Sequence, residues 1–387
     1  MILGEKVTNI GMFAFSGCNL KNIHIFSKNI TISDSAFNGS SIETATIPAN
    51  VAPYIKNSSL REVEIISGTE VETQSFYNCS NLISVLLPEG ITSIKENAFY
   101  GCSKLSNIEL PETLTTIESS AFNSCSSLTA LEIPTNVNYI GSSAFSGCSS
   151  LSNIIVSNNV SYVGSSAFYN CPIETATIPT IIASYIKNVN LREVIITSGD
   201  VIEQSAFSNC NNLVKVILPE SITSIGESAF YNCSSLTNII IPSKITQISK
   251  STFSGCSSLI SINLSEGILS IENNAFYNCS SLTTIEIPKN VTKIGSSAFA
   301  NCINVEEIIF NAINLSDLTN SNECFTRVGE NVDGVNVVIG KEVTKIPANL
   351  FNSSNSIDML PNIICIEFEE GSVCETIGTR AFYNCSS

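Results

Sequence analysis

The 387-residue sequence has no tryptophan, a single histidine (His24) and three methionines, and only 13% of its residues are charged. One histidine argues against most Ser–His triads, multi-histidine zinc sites and histidine-driven pH switches. Lys and Arg number 18 against 34 Asp and Glu, so the formal net charge is −16. Nucleic-acid binding needs clustered basic residues that displace counterions, and we therefore expect no nucleic-acid partner.

Long apolar runs are also missing. No segment approaches the roughly 20 consecutive apolar residues that a membrane-spanning helix needs. Residues 1–11 lack the basic region and apolar stretch of a secretory signal. We expect no insertion into a membrane. The 43% of hydrophobic residues must instead form a large buried core, which argues against general disorder.

What the sequence does contain is an internal repeat. One complete unit, residues 282–302, reads L-x-x-I-x-I-P-x-x-V-x-x-I-x-x-x-A-F-x-x-C. A phenylalanine recurs in this phrase every 23 residues, in two series: Phe76, Phe99, Phe122, Phe145 and Phe168, then Phe207, Phe230, Phe253, Phe276 and Phe299. Repeats of this length are typical of solenoids, in which each unit contacts its neighbours in the chain.

The pattern within one unit predicts its local structure. The alternation of Ile285, Glu286 and Ile287 predicts a short strand with the two isoleucines on one face. Pro288 lacks an N–H group and ends the strand. The Ala298-Phe299 phrase predicts a short helical or 3₁₀ turn.

One unit cannot bury its apolar edge alone, so its neighbours must cover it. The fold class that follows is a repeat solenoid, α/β or mainly β. We expect a curved right-handed superhelix with a parallel β-sheet on one face, short helical or 3₁₀ turns on the other, and internal columns of stacked Leu, Phe and Cys.

The repeat is irregular in three places. Two 39-residue steps, near residues 38–76 and 169–207, keep two strand phrases and lose one Ala-Phe turn, which residues 54–57 replace in the first step. We interpret each step as two turns, the first of them shortened. We assign residues 1–310 to regular repeats. Residues 311–387 are assigned to degenerate repeats of the same solenoid with loop insertions, one of them polar at residues 352–358.

The repeated phrase resembles the BspA-type leucine-rich repeat. The resemblance covers most of the chain and implies a curved leucine-rich-repeat solenoid. Members of that family are surface or secreted proteins of oral and gut bacteria and of some protist parasites, and several are implicated in adhesion to host matrix proteins or to other microbes. The resemblance supplies no catalytic residues. Because both ends stop in mid-repeat, we expect a fragment of a longer surface or secreted protein. The alternative is a complete chain whose first and last half-turns fray.

Cysteines are the next candidates for chemistry. Twelve occupy the repeat column: Cys18, Cys79, Cys102, Cys125, Cys148, Cys171, Cys210, Cys233, Cys256, Cys279, Cys302 and Cys385. No C-x-x-C motif occurs, so zinc binding is disfavoured. We expect buried free thiols that act as small apolar plugs, with disulfides as the alternative. Outside the column lie Cys324, Cys365 and Cys374. For Cys324, a disulfide bond remains an alternative to a free thiol.

The exposed face of the predicted sheet is the candidate binding site. The residue between the two strand isoleucines points outward, and in the middle of the chain this position is β-branched on five successive strands, with isoleucine on four of them, which predicts a protein-binding stripe. The stripe consists of Ile155, Thr177, Ile195, Ile217 and Ile240. The alternative is that β-branched residues occur there because they favour strands.

Three functions compete. The first is a non-enzymatic interaction module that binds a host matrix or surface protein, and the second is a structural spacer without a ligand. The third is an enzyme using glutamate pairs such as Glu109 and Glu132, which an open sheet disfavours because it encloses no pocket. With Glu286, these residues give one carboxylate per strand, too few for calcium. We therefore expect a monomer with no catalytic residue, metal or cofactor.

Overall fold

The computed structural model describes residues 1–319, 321–352, 361–383 and 385. The chain forms two compact units, Met1–Ile186 and Lys187–Ser387. In each of them the paired strands run parallel. Apart from its first residue, the polar insertion expected at residues 352–358 lies outside the described residues.

The first unit is built from short strands and very little helix. Its strands are β1 (Ile2–Leu3), β2 (Asn9–Ile10), β3 (Asn22–Ile25), β4 (Thr31–Ile32), β5 (Thr44–Pro48), β6 (Glu62–Ser67), β7 (Glu70–Val71), β8 (Ser84–Leu86), β9 (Ser93–Ile94), β10 (Asn107–Ile108), β11 (Thr116–Ile117), β12 (Ala130–Ile133), β13 (Tyr139–Ile140), β14 (Asn153–Val156), β15 (Tyr162–Val163) and β16 (Thr175–Ile178). Its helical segments are the 3₁₀ helix Ala49–Val51, the one-turn helix α1 (Ala52–Ile55) and the 3₁₀ helix Thr180–Tyr185.

The second unit repeats this arrangement. The strands found in its described residues are β17 (Glu193–Ile196), β18 (Val201–Ile202), β19 (Lys215–Ile217), β20 (Ser224–Ile225), β21 (Gln247–Ile248), β22 (Ser270–Ile271), β23 (Thr284–Ile287), β24 (Lys293–Ile294), β25 (Glu307–Phe310), β26 (Val335–Ile339), β27 (Lys345–Ile346), β28 (Ile363–Phe368) and β29 (Thr376–Ile377).

Each regular repeat contributes to two parallel ladders rather than to the single sheet that the sequence predicted. In the first unit, the first ladder includes the sheet β1-β3-β5-β6-β8-β10 and the second includes β7-β9-β11-β13-β15. The strands of the second ladder have two residues. The second of them, such as Ile117 or Ile140, is buried, and the first is more exposed on every strand of this sheet except β9, where Ser93 is also buried. The second isoleucine of the repeat phrase therefore marks a strand as well as a core position.

The Ala-Phe turn of the regular repeat is not helical. Around Phe122 the chain makes consecutive tight turns, and Ser120 and Ser124 adopt left-handed φ values of 53° and 62°. Small polar residues tolerate this region better than branched ones. The N–H of Phe122 donates to the carbonyl of Ala144 in the next repeat at 2.7 Å. Since a helix would direct these N–H groups along its own axis, the tight turns instead provide a third ladder between repeats.

The predicted phenylalanine column is confirmed. Phe122 is fully buried, and its ring stacks on Phe99 and Phe145 with centroids 5.0 and 5.3 Å away. Later in the chain, Phe325 continues the second series by stacking on Phe299 at 5.4 Å. These files of parallel rings form the centre of each unit's core.

The cysteine column is confirmed for its interior members and wrong at its two ends. Cys125 is fully buried, and its thiol donates to the carbonyl of Phe99 at 3.3 Å. Cys18 is exposed and Cys385 is half-exposed, because the outermost described turns have a neighbouring turn on one side only. Cys324 is buried as a free thiol outside the column. It occupies the position of the repeat alanine, since its carbonyl accepts the Phe299 N–H at 2.8 Å.

The first irregular step consists of two turns, as predicted. Across its helical turn, Thr46 of β5 lies beside Glu64 of β6, and the two residues are 18 positions apart. In the regular repeats, hydrogen bonds between neighbouring turns join residues 23 positions apart, as between Thr92 and Thr69. Helix α1 and the preceding 3₁₀ helix therefore make the shortened turn, and Ile55 fills its interior at 1% exposure.

Candidate functional site

The outward face of the first ladder carries the predicted site. In β14, Ile154 and Val156 are buried, while Ile155 between them is 42% exposed. The strand places it there because successive side chains point to opposite faces. An apolar side chain at this position contributes nothing to the core and is available for contact with another molecule.

In the first unit, the structure places two of the predicted stripe residues side by side. Ile155 pairs in register with Thr177 on one side and with Glu132 on the other. Thr177 is half-buried. A glutamate therefore flanks the apolar side chain of Ile155 on β12.

In the second unit, Ile195 and Ile217 pair in register on β17 and β19. Ile195 is half-buried, and Ile217 is 43% exposed. Ile240 forms an isolated parallel bridge with Asn263 and is 81% exposed. That all five residues form one continuous stripe stays a prediction.

Beside Ile155 the face of the first unit is concave. A shallow depression of about 500 Å³ is lined by side chains of three successive repeats, among them Glu109, Glu132, Asn153 and Ile155. Ala130, at the entry of β12, also lines it. Sequence reasoning identified the two glutamates and the isoleucine but missed the depression, because its depth depends on side-chain sizes on neighbouring strands.

Charges on this face are exposed and locally paired. Next to the Ile195–Ile217 pair, Glu193 and Lys215 face each other in register with 3.5 Å between Oε2 and Nζ. Both side chains are about half exposed, so the pair adds little stability. Such pairs at the edge of an apolar patch contribute to orientation and selectivity toward a partner more than to affinity.

The buried thiols of Cys125 and Cys256 are poor nucleophiles. Desolvation by burial raises the pKa of Cys125 and of Cys256 from 9.0 to about 12. A thiol with such a pKa is protonated at neutral pH and inert, since the thiolate is the reactive form. Within the ranges that the structure describes, no group of three or more His, Cys, Asp or Glu residues is placed to hold a metal ion.

Short parallel strands, one Phe-centred turn per repeat and stacked internal columns define a leucine-rich-repeat protein. Comparison with family models agrees: the BspA type leucine rich repeat region matches in six copies, over residues 1–67, 69–190, 180–306 and 271–387. The chain belongs to this family. A comparison with curated proteins finds no significant match.

Solved structures include similar bacterial proteins. A leucine-rich repeat protein from Bacteroides ovatus is 23% identical over 97% of this chain and 91% of that chain, with a TM-score of 0.50, and shows the same fold. A leucine rich cell surface protein from Faecalibacterium prausnitzii is 29% identical over 80% and 87% of the two chains, with a TM-score of 0.32. A leucine rich repeat protein from T. pallidum is 30% identical over 51% and 80%, with a TM-score of 0.34.

None of the helices in the described ranges has the length and apolarity needed to cross a bilayer.

Proposed function

We propose that the chain is a non-enzymatic interaction module. Its protein-binding surface, which we call the sheet stripe, consists of Ile155, Thr177, Ile195, Ile217 and Ile240. The observation that carries the proposal is the exposure of large apolar side chains at the outward strand position, greatest at Ile240 with 81%. Apolar surface bordered by polar and charged residues is typical of partner sites.

The partner class follows from the family and from the chemistry of the face. BspA-type repeats belong to surface and secreted proteins, several of them adhesive, so the ligand we propose is a host matrix protein or another cell-surface protein. An exposed isoleucine loses contact with water when a partner covers it, which is worth about 1.5–3 kcal/mol for a fully buried side chain. Burial of three such isoleucines under a partner supplies binding free energy that the exposed ion pairs alone do not supply.

The test removes the stripe without touching the core. A triple variant, Ile195→Thr, Ile217→Thr and Ile240→Thr, keeps β-branched residues on the strands while it adds three hydroxyl groups. Binding of the 387-residue chain to immobilised fibronectin, fibrinogen, laminin and collagen is measured by surface plasmon resonance. We expect at least one of these proteins to bind and the triple variant to weaken that binding at least about tenfold.

A matched control changes exposed apolar residues of the same unit at other repeat positions. Val214, Ile260 and Leu269 are 41%, 53% and 49% exposed, and their combined change to Thr is expected to leave binding unchanged. If the triple variant binds as tightly as the parent chain, the sheet stripe is not the site. If no matrix protein binds, the spacer hypothesis replaces that of an adhesive module.

A further inference from the structure

A second surface of the first unit carries an unusual pair of aromatic residues. Along the second ladder, the first residues of β7, β9, β11, β13 and β15 stand in register. They are, in order, Glu70, Ser93, Thr116, Tyr139 and Tyr162. The column is therefore polar and mostly short until it reaches two tyrosines.

The two tyrosines stack on each other and leave one ring face free. The ring centroids of Tyr139 and Tyr162 are 4.7 Å apart and the ring planes differ by 8°. The neighbour of Tyr139 on its other side is Thr116, which is too short to cover an aromatic ring. The second face of the Tyr139 ring is thus turned toward a gap in the column.

That gap is a depression of about 390 Å³. We call it the tyrosine slot, and its lining residues are Glu96, Thr116, Glu118, Ser119, Asn138 and Tyr139. One wall is an aromatic ring backed by a second ring, and the remaining lining is hydroxyl, amide and carboxylate. This mixture of one flat apolar wall with several hydrogen-bonding groups is typical of small-molecule sites.

Part of the polar lining is held in place. The Glu118 carboxylate lies 3.1 Å from Lys95 Nζ and accepts the backbone N–H of Glu96, also at 3.1 Å. Lys95 in turn contacts Glu70 at 3.2 Å. Because two contacts from the preceding repeat hold this carboxylate, little conformational entropy is lost when a ligand hydrogen-bonds there.

The backbone keeps the slot open beside the ring. Lys95 and Glu118 follow the buried isoleucines of β9 and β11, but the corresponding residue after β13 is Gly141. A Cβ at this glycine would lie 2.4 Å from the Ser119 nitrogen. The chain thus passes too closely for a side chain here, and none covers the approach to Tyr139.

We propose that the tyrosine slot binds one pyranose ring of a neutral carbohydrate. A pyranose has an apolar face of C–H bonds that packs on an aromatic ring and a rim of hydroxyl groups that bonds to carboxylate, amide and hydroxyl side chains. Glu96 and Glu118 disfavour an anion. Since Glu118 already pairs with Lys95, the slot also lacks the concentration of negative charge that would select an ammonium group.

The probes are cellotetraose, maltotetraose, mannotetraose and chitotetraose, each titrated to about 10 mM against the 387-residue chain by saturation-transfer NMR and calorimetry. We expect at least one to bind with a Kd of about 1 mM or tighter. Tyr139→Ala removes the wall and is expected to weaken binding at least about tenfold. Thr116→Tyr extends the tyrosine stack into the slot and is expected to abolish binding without unfolding the chain.

The control is Tyr77→Ala. Tyr77 stacks on Tyr100 at 5.0 Å and is 37% exposed in the same unit, but it does not line the slot. Its removal is expected to leave the Kd unchanged. The proposal is overturned if no oligosaccharide binds, if binding survives Thr116→Tyr in a variant with an unchanged circular-dichroism spectrum, or if choline binds in the slot in place of every sugar. The sheet stripe plays no part in this test, so its outcome is independent of the proposed adhesive function.

Discussion

The regular turns and the first irregular step both connect neighbouring strands and fill the interior, but their backbone conformations differ. Around Phe122, left-handed residues direct N–H groups into the next repeat, and the interior is filled by stacked aromatic rings. Across residues 49–55, a 3₁₀ helix and helix α1 form the turn, and Ile55 fills the interior. The backbone of the regular turn instead alternates between hydrogen bonds to the next repeat, as from the Phe122 N–H, and hydrogen bonds within the turn, as from the Asn123 N–H.

The difference shows what the repeat requires. Strands β5 and β6 pair in register from Thr44 to Ile47 across the helical turn, with a shift only at Pro48, although that turn is shorter than a regular one. The strand ladder and a filled interior are therefore the constant elements, while the backbone of the connecting turn is replaceable. Four predictions test how far this distinction extends.

The largest effect is expected from removing a ring in a regular turn. Phe230 is fully buried between Phe207 and Phe253, with both centroids 5.5 Å away. Phe230→Ala leaves a cavity between two rigid rings and is expected to lower the free energy of unfolding by about 3–5 kcal/mol. Guanidinium denaturation followed by circular dichroism measures the loss.

The control for this change is Phe26→Ala, because Phe26 is 41% exposed. Its expected cost is below about 1 kcal/mol. Equal losses in the two variants would show that the phenylalanine file does not stabilise the regular turns more than a surface ring does.

A smaller effect is expected at the corresponding interior position of the helical turn. Ile55→Ala removes a buried side chain from a helix of four residues. We expect a loss of about 2–3 kcal/mol, the lower part of the usual range, because a short surface helix can partly close over the gap. The same denaturation measurement applies. A loss larger than that of Phe230→Ala would reverse the proposed order of rigidity.

The thiols give a pH-dependent contrast. Burial raises the pKa of Cys125 in a regular turn to about 12. For Cys79, after the irregular step, burial raises the pKa only to about 11, since the Asn57 backbone and Lys56 oppose it. A raised folded-state pKa means that the stabilisation is complete below the unfolded value near 9 and is lost as pH rises toward the folded value.

Between pH 8 and pH 10, ionisation of the Cys125 thiol in the unfolded chain is expected to lower the free energy of unfolding by about 1 kcal/mol. Denaturation curves at both pH values should show that Cys125→Ala loses less stability over this interval than the parent chain, by that amount. Cys18→Ala provides the control for removal of a thiol outside the core, because Cys18 is exposed. Identical pH dependence in all three proteins would contradict burial of Cys125 as a neutral thiol.

Much of this fold could be predicted from periodicity. The spacing of Phe99, Phe122 and Phe145 predicted stacked columns because identical units related by one translation must superimpose their side chains. The geometry of the Ala-Phe turn could not be predicted in this way. Small polar residues such as Ser120 and Ser124 are compatible with a helix end and with left-handed turns, and hydrogen bonding between repeats decides between them.

The two candidate sites also differ in how far the sequence alone predicts them. Ile155 could be placed on the outward face from strand alternation alone. The tyrosine slot could not, because the sequence showed Tyr139 only as one outward residue of a segment that we did not recognise as a strand. The slot also depends on the short Thr116 in the next row and on a close backbone approach at Gly141, and both are relations between repeats.

The smallest expected effect has opposite signs in the two kinds of turn. Ser143 holds a φ of 54° in a regular turn, whereas Ala52 holds −53° in the helical one. Ser143→Gly relieves a left-handed residue and is expected to raise the free energy of unfolding by about 0.5–1 kcal/mol. Ala52→Gly loosens a helix and is expected to lower it by about 1 kcal/mol. Paired denaturation curves measure both changes, and a shift of the same sign in the two variants would mean that the turns do not differ in backbone strain.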